Sequence, residues 1–217
     1  MPASAPATAP VVRPAAASAT DFGSIFAGQL PALVNSGWSG CAAPVTWTVD
    51  TTALVDTEAA QAIADLTWAF AQWQQASGLV FSYGGIQELT YDDGSFTLEP
   101  ADGTPILQRH IYLSFVTDAS SERLGGQTVG LGSPSQVMTQ SKEIVTGTAV
   151  FRTDHVSSAS DRADRSLYLH ELGHVLGLAH ASDEGNIMYP VVSDHLELGA
   201  GDVAGVRTMA KPCTEVA

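Results

Sequence analysis

The chain carries at positions 170–180 the stretch His-Glu-Leu-Gly-His-Val-Leu-Gly-Leu-Ala-His. His170 and His174 are four residues apart, so on a helix they lie on one face with Cβ atoms about 5–6 Å apart. At that separation two imidazoles can bind one zinc ion at about 2.0–2.1 Å each. Gly177 predicts the end of the helix, since glycine tolerates the left-handed conformation, and the turn brings His180 back as a third ligand. Three neutral imidazoles leave the fourth tetrahedral position to water, which is typical of a catalytic zinc site.

Glu171 lies one residue further round the same helix. It cannot easily join the histidines as a ligand, but it can reach a water molecule held by the metal, so we predict it as the catalytic base. One alternative is a helix with two core-facing histidines and an incidental third, which is disfavoured because unliganded imidazoles are costly to bury. Another replaces His180 by a downstream carboxylate such as Glu197.

Residues 170–180 resemble the zinc-binding signature of the metzincin metallopeptidases. Eight residues later, Met188 lies in Asn-Ile-Met-Tyr-Pro, which is similar to the Met-turn of the matrixin branch. Residues 41–47 and 201–206 resemble the start of the first strand and the terminal helix of secreted bacterial matrixin-like proteins. The resemblance covers about residues 37–213 and implies a zinc metalloendopeptidase.

The fold that this resemblance implies is an α+β, α/β-like sandwich, with a twisted mixed sheet of about five strands and three main helices. Residue patterns favour the same class. Alternating β-branched and aromatic residues predict a strand at Val45–Val49, and apolar residues at helical spacing predict a helix that Gly78 ends. The pattern also predicts strands at 79–83, 110–116 and 146–153, helices at 160–177 and 202–210, and an acidic surface loop at 92–103.

The resemblance also implies where a substrate binds. It assigns residues 128–132 to an edge strand that pairs with an extended peptide, and it places Met188 as an apolar floor under the zinc. Tyr189, Pro190 and Val191 would wall the pocket for the side chain that follows the scissile bond. An ordinary core methionine is the alternative for Met188, since methionine commonly fills gaps in cores. The edge-strand residues expected to contact substrate are Thr128, Val129, Gly130 and Leu131.

We expect residues 1–36 to form a flexible tail and residues 37–217 to form the zinc peptidase domain. Eight alanines and four prolines fill twelve of the first twenty positions, a composition that buries little. These positions hold one basic residue, Arg13, and the prolines interrupt any apolar core of a signal peptide. We expect a secreted protein whose leader is not part of this chain.

Charge limits the partners. Nine basic and 23 acidic residues give a net charge of −14, which disfavours nucleic acid and anionic lipid surfaces. No apolar run approaches the ~20 residues that a membrane helix needs. We expect a monomer that acts on extended peptide or protein chains, with neither nucleic acid nor membrane as partner.

The two cysteines, Cys41 and Cys213, predict a disulfide if the protein is exported. Two free buried thiols, or Cys41 as a zinc ligand that keeps the enzyme latent, are the alternatives. Asp92 and Asp93 with Asp102 could bind calcium as a second cofactor, but their spacing fits no recognised calcium loop and a solvated acidic turn is the simpler interpretation.

We expect a single zinc ion. In animal matrixins a structural-zinc loop lies before the edge strand, but residues 112–144 contain no histidine. His110, His155 and His195 are expected to be surface or hydrogen-bonded residues. The function predicted is peptide-bond hydrolysis by a zinc-bound water, and the alternative is a catalytically silent, zinc-stabilised binding module.

Overall fold

Seven strands and four α-helices follow one another in the part of the chain that the computed structural model describes, which comprises residues 18–28, 30–40, 43–158, 161–191 and 194–211. The strands are β1 (Val45–Asp50), β2 (Phe81–Ile86), β3 (Leu89–Asp92), β4 (Thr97–Pro100), β5 (His110–Val116), β6 (Gly130–Met138) and β7 (Glu143–Arg152). The helices are α1 (Asp56–Ser77), α2 (Thr153–Ser158), α3 (Asp161–Val175) and α4 (Ala200–Met209).

Five strands form one mixed sheet in the order β2-β1-β5-β7-β6. The first four are parallel, and β6 lies antiparallel to β7 at the edge. Every residue of the central strand β5 is buried, as expected for a strand covered on both faces. The sheet, with α1, α3 and α4 as the main helices, confirms the predicted α+β fold.

The main core lies between one face of this sheet and the helices. Trp47 of β1 stacks on Phe70 of α1 with ring centroids 4.7 Å apart. The indole N–H of Trp73 in α1 donates to the Leu169 carbonyl of α3 at 3.0 Å, which fastens the two helices together. Gly78, at φ +76°, ends α1 where the sequence predicted. None of the helices among the described residues has the length and apolarity needed to cross a membrane.

The opposite face of the sheet is covered by a hairpin that the sequence did not predict. Strands β3 and β4 pair around a turn, and Leu98 packs with Tyr112 and Val116 in a second apolar cluster. The predicted acidic loop at 92–103 therefore includes β4. The acidic residues concentrated at the turn obscured the short apolar alternation on either side of it.

The described part of the tail predicted for residues 1–36 belongs to the folded domain. Residues 18–28 and 30–36 pack against the domain, and Phe26 is only 7% exposed. The difference arises because the alanine- and proline-rich composition stops near residue 20, after which apolar side chains return. Residues 1–17 lie outside the described part of the chain.

The edge strand also differs from its prediction. It was expected at residues 128–132, whereas β6 begins at Gly130 and runs to Met138. Thr128 and Val129 precede it, although the Val129 carbonyl still accepts a hydrogen bond from the Arg152 N–H at 2.9 Å. The short helix α2 was not predicted.

Candidate metal centre

Helix α3 carries the first two histidines, and its backbone is held by a hydrogen bond next to each of them. The Trp38 indole N–H donates to the Val175 carbonyl at 3.0 Å, and the Trp73 indole does the same at Leu169. Gly177 then takes φ +105°, which an L side chain rarely adopts, and the chain turns back. This turn brings His180 to the other two histidines.

The three imidazoles converge in the way that a tetrahedral metal site requires. The Nε2 atoms of His170 and His180 are 3.3 Å apart, and one nitrogen from each of the three rings lies within 4.8 Å of the others. Two nitrogens each about 2.0–2.1 Å from a tetrahedral ion would lie about 3.4 Å apart. Among the described residues this is the one group of three or more histidine, cysteine or acidic side chains with such spacing.

In His170 and His174, hydrogen bonds fix which ring nitrogen faces the centre. Nδ1 of His170 donates to the Ile187 carbonyl and Nδ1 of His174 to the Leu178 carbonyl, both at 2.8 Å. The Nε2 atoms are thereby left with free lone pairs, the form in which imidazole binds metal. Burial lowers the pKa of His170 to about 4 and that of His174 to about 3, and it also lowers the pKa of His180. All three rings are therefore neutral near pH 7 and fit a zinc ion.

Glu171 is buried beside this centre, against the first part of β6. Its carboxylate accepts a hydrogen bond from the Gly132 N–H, and burial raises its pKa to about 8. Two glycines permit the close approach of strand and helix. A Cβ on Gly130 would lie 2.9 Å from Glu171 Cγ, and one on Gly132 would lie 2.1 Å from the Glu171 carbonyl oxygen.

Met188 is buried, with 2% of its surface exposed. A Cβ placed on Gly173, between the two helical histidines, would be 2.2 Å from Met188 Sδ, so the thioether sits directly against the helix backbone. The Met188 carbonyl accepts from the Ala181 N–H at 2.8 Å, which links this turn to the residue after His180.

A buried carboxylate in α4 is hydrogen-bonded to the backbone of the turn that contains Met188. Asp202 accepts hydrogen bonds from the backbone N–H groups of Ile187, Met188 and Gly199 at 2.6, 3.1 and 2.8 Å. Burial raises the pKa of Asp202, and these hydrogen bonds act in the opposite direction. Since the Ile187 carbonyl orients His170, the carboxylate supports the metal centre through the turn.

A cleft of about 1010 Å³ opens over the histidines. Pro190 and Val191 line it, whereas Tyr189 lines a neighbouring recess that shares Val191 with the cleft. The residues for which we predicted substrate contact at the start of the edge strand all line the cleft: Thr128, Val129, Gly130 and Leu131.

Several other predicted residues are not part of this site. Glu197 is exposed and does not belong to the metal-binding group. Cys41 and Cys213 lie outside the described residues, so their pairing stays a prediction. Asp92 and Asp93, considered for calcium, accept hydrogen bonds from Ser95 and Gly94 and from Tyr91 and Ser121 respectively. Calcium binding also stays a prediction.

Three residues near the site were not identified from the sequence. Asp202 lay at the start of the helix predicted at 202–210, and an acidic residue in a first helical turn is commonplace. Ile25 lines the cleft although the sequence placed it in the tail. His155 lines the cleft as well, and no motif distinguished it from the other histidines.

Residues 109–210 match the family model described as Matrixin. The matched range includes β5, β6 and β7, the three converging histidines, the turn at Met188 and helix α4. No curated protein matches the chain.

Proposed function

Because the chain is a matrixin-like metzincin, we propose that it is a zinc-dependent endopeptidase in which Glu171 is the catalytic base. At the level of the family it is a zinc metallopeptidase. The observation that carries the proposal is the convergence of three neutral imidazoles beside a buried carboxylate, in a cleft bordered by an open sheet edge.

The residues that would hold the metal are His170, His174 and His180. When bound there, zinc supplies a Lewis acid that polarises a carbonyl and makes water at the open coordination position more acidic. His180 is the exposed member of the three histidines, so solvent and substrate can reach the centre from its side.

Glu171 would move the proton. Its carboxylate takes a proton from the attacking water and then gives it to the leaving amine. Burial raises the pKa of Glu171 to about 8, and a cation at the histidines acts in the opposite direction. The pKa of Glu171 in the metal-bound protein is therefore expected to lie below the value set by burial alone.

Strand β6 would position the substrate. Its outer edge has no neighbouring strand in the described sheet, so its backbone groups can pair with an extended peptide chain. Pairing along β6 would place the scissile carbonyl beside Glu171, because Gly130 and Gly132 touch that side chain.

The test compares Glu171→Gln with the wild-type protein on casein and on a quenched-fluorescence peptide. We expect the variant to retain its fold and one zinc per chain but to lose about 10²–10⁴-fold in kcat. His174→Ala should lose the metal as well, and the exposed Glu197→Gln is the matched control that should keep both. Equal cleavage by Glu171→Gln would show that the base is assigned to the wrong residue.

A catalytically silent binding module is the competing function. The intact Glu171 argues against it, since a purely structural zinc site has no use for a buried base. Cleavage that stops on addition of a chelator and returns with zinc supports the peptidase. Zinc-loaded protein that cleaves neither casein nor a peptide library would favour the binding module.

We also propose that the protein is a secreted monomer with a Cys41–Cys213 disulfide. The support for the disulfide comes from the residues next to the cysteines. The Gly40 N–H donates to the Lys211 carbonyl at 2.9 Å, one residue before Cys41 and two before Cys213.

A further inference from the structure

The N-terminal segment, defined here as residues 18–28 and 30–36, is docked beside the metal centre. Ser24 forms an antiparallel bridge with Leu178. The Ile25 N–H donates to the Gly177 carbonyl at 2.9 Å, and the Gly23 carbonyl accepts from the Ala179 N–H at 2.8 Å. The segment is thus paired with the residues immediately before His180.

From this position the segment faces the edge strand across a recess of about 330 Å³. We call this space the N-terminal recess; its apolar lining consists of Ile25, Phe26, Leu30, Phe96, Leu131 and Pro134. Its volume is at the lower end of the range of about 300–1,000 Å³ found for ligand pockets. Leu30 leaves 52% of its surface exposed, so an apolar group placed in the recess would cover surface that is now in water.

The one cationic residue that lines the recess is Arg123, and its guanidinium is hydrogen-bonded to the β3–β4 hairpin. The Arg123 guanidinium donates to the Asp93 carbonyl at 2.7 Å and to the Gly94 carbonyl at 2.9 Å. It also lies over the Phe96 ring, 6.0 Å from the centroid. These contacts hold the charge against the hairpin, so the recess favours an apolar occupant over an acidic one.

The recess continues the cleft that holds the histidines. Ile25, Leu131 and Gly132 line both spaces. The recess containing Tyr189, in contrast, joins the cleft through Val191. The two recesses therefore share no lining residue and join the cleft at different places.

We propose that the N-terminal recess binds a bulky apolar side chain of the substrate on the amino-terminal side of the scissile bond. This inference rests on the proposed function and on the expectation, implied by the resemblance, that Pro190 and Val191 receive the side chain that follows the bond. The N-terminal recess then receives a side chain that precedes it. This role makes the N-terminal segment a determinant of cleavage specificity, with Leu30 and Ile25 as the side chains that contact the peptide.

The experiment uses zinc-loaded full-length protein and quenched-fluorescence peptides of one sequence. The peptides differ only in whether Leu, Phe, Ala or Asp occupies each of the positions preceding the scissile bond. We expect kcat/KM at one of these positions to be about tenfold higher or more for Leu or Phe than for Ala. Leu30→Asp should reduce this ratio to about twofold or less, and Ile25→Ala should lower it in the same direction.

Leu107→Asp is the matched control, because Leu107 is an apolar residue 56% exposed and does not line the recess. Its ratio should equal that of the wild type. A ratio that is unchanged in both Leu30→Asp and Ile25→Ala would overturn the inference, as would an equal fall in Leu107→Asp.

Binding separates the failure of the recess from the failure of the proposed function. The dissociation constants of the same peptides are measured with zinc-loaded Glu171→Gln protein, with and without Leu30→Asp. If no peptide is cleaved by wild-type protein but Leu peptides still bind more tightly than Ala peptides in a Leu30-dependent manner, the recess stands and the peptidase proposal fails. Cleavage or binding without this preference rejects the recess.

Discussion

At the scale of single residues, two glycines determine how closely the edge strand approaches Glu171. Gly132 donates its N–H to the Glu171 carboxylate, and neither Gly132 nor Gly130 has room for a methyl group. The Glu171 carboxylate can lie this close to β6 because two positions of the strand, 130 and 132, have no side chain. An alanine in this strand would act on Glu171 without touching the histidines directly.

Gly132→Ala tests this arrangement. The added Cβ would lie 2.1 Å from the Glu171 carbonyl oxygen, so β6 must move away from α3. We expect a loss of about 1–3 kcal/mol in the free energy of unfolding, as for other overpacked sites, together with a large fall in kcat/KM. Urea unfolding and peptide cleavage measure the two effects.

Gly28→Ala is the control, because a Cβ there meets nothing within 4 Å. It should change neither stability nor cleavage measurably. Full activity in Gly132→Ala would show that the close approach of strand and helix does not matter for turnover.

At the scale of secondary-structure elements, α4 supports the metal centre from a distance. Asp202 in its first turn binds the backbone of Ile187 and Met188, and the Ile187 carbonyl orients His170. Hydrogen bonds to metal ligands of this kind fix the ring orientation and raise the affinity for the metal.

Asp202→Ala should therefore weaken both the fold and the zinc site. Three backbone N–H groups lose their acceptor, so we expect a cost of about 2–4 kcal/mol in the free energy of unfolding. Zinc affinity should fall about 10–100-fold, measured by competition with a chelator. Asp56→Ala, another first-turn acid but an exposed one, should leave the affinity unchanged; an equal loss there would contradict the support role.

The N-terminal segment is fastened by Asp21, whose carboxylate accepts hydrogen bonds from Ser182, Asp183 and Asn186. The Ser182 N–H and hydroxyl and the Asp183 N–H hold the pKa of Asp21 below the ordinary value of 3.8. Because the folded pKa is the lower one, the stabilisation is complete above pH 3.8 and is lost as the pH falls through the folded pKa.

Asp21→Ala should consequently lower the thermal unfolding midpoint at neutral pH, and the difference from wild type should shrink below pH 3.8. Asp102→Ala is the control, since that carboxylate accepts hydrogen bonds from the N–H and hydroxyl of Thr104 in its own loop. Its effect should be smaller at neutral pH. A pH-independent difference for Asp21→Ala would indicate that packing rather than charge is responsible.

Elements with a strong periodic pattern could be predicted from the sequence, and those shaped by tertiary contacts could not. The apolar pattern and the glycine at 177 predicted a helix at 160–177, and α3 covers Asp161–Val175. Strand β6 was predicted too short, because its glycines and its proline are poor strand formers. Gly130 and Gly132 are required there by the close approach of α3. The docking of the N-terminal segment depends on Asp21 and on partners about 160 residues away, which no local pattern reveals.

At the scale of the whole molecule, the two ends of the domain meet. Ser39 and Lys211 form a parallel bridge, and Lys211 also accepts from Gly40. A disulfide between the cysteines that follow would close a loop of almost the whole domain. In the chain-entropy model such a loop contributes about 5 kcal/mol at most.

We expect the purified, unreduced protein to gain two protons in mass on reduction and to lose thermal stability at the same time. Cys41→Ser with Cys213→Ser should show no mass change and should match the reduced wild type in stability. Free thiols titrated in unreduced protein would refute the disulfide.

The two indole anchors of α3 have a practical consequence. Trp38 and Trp73 hold the backbone at Val175 and Leu169, on either side of the metal-binding histidines. Tryptophan emission responds to the surroundings of the ring, so a rearrangement of this helix on stripping or restoring the ion should alter the intrinsic fluorescence. The molecule thereby contains an optical reporter of its own cofactor loading, which needs no attached dye.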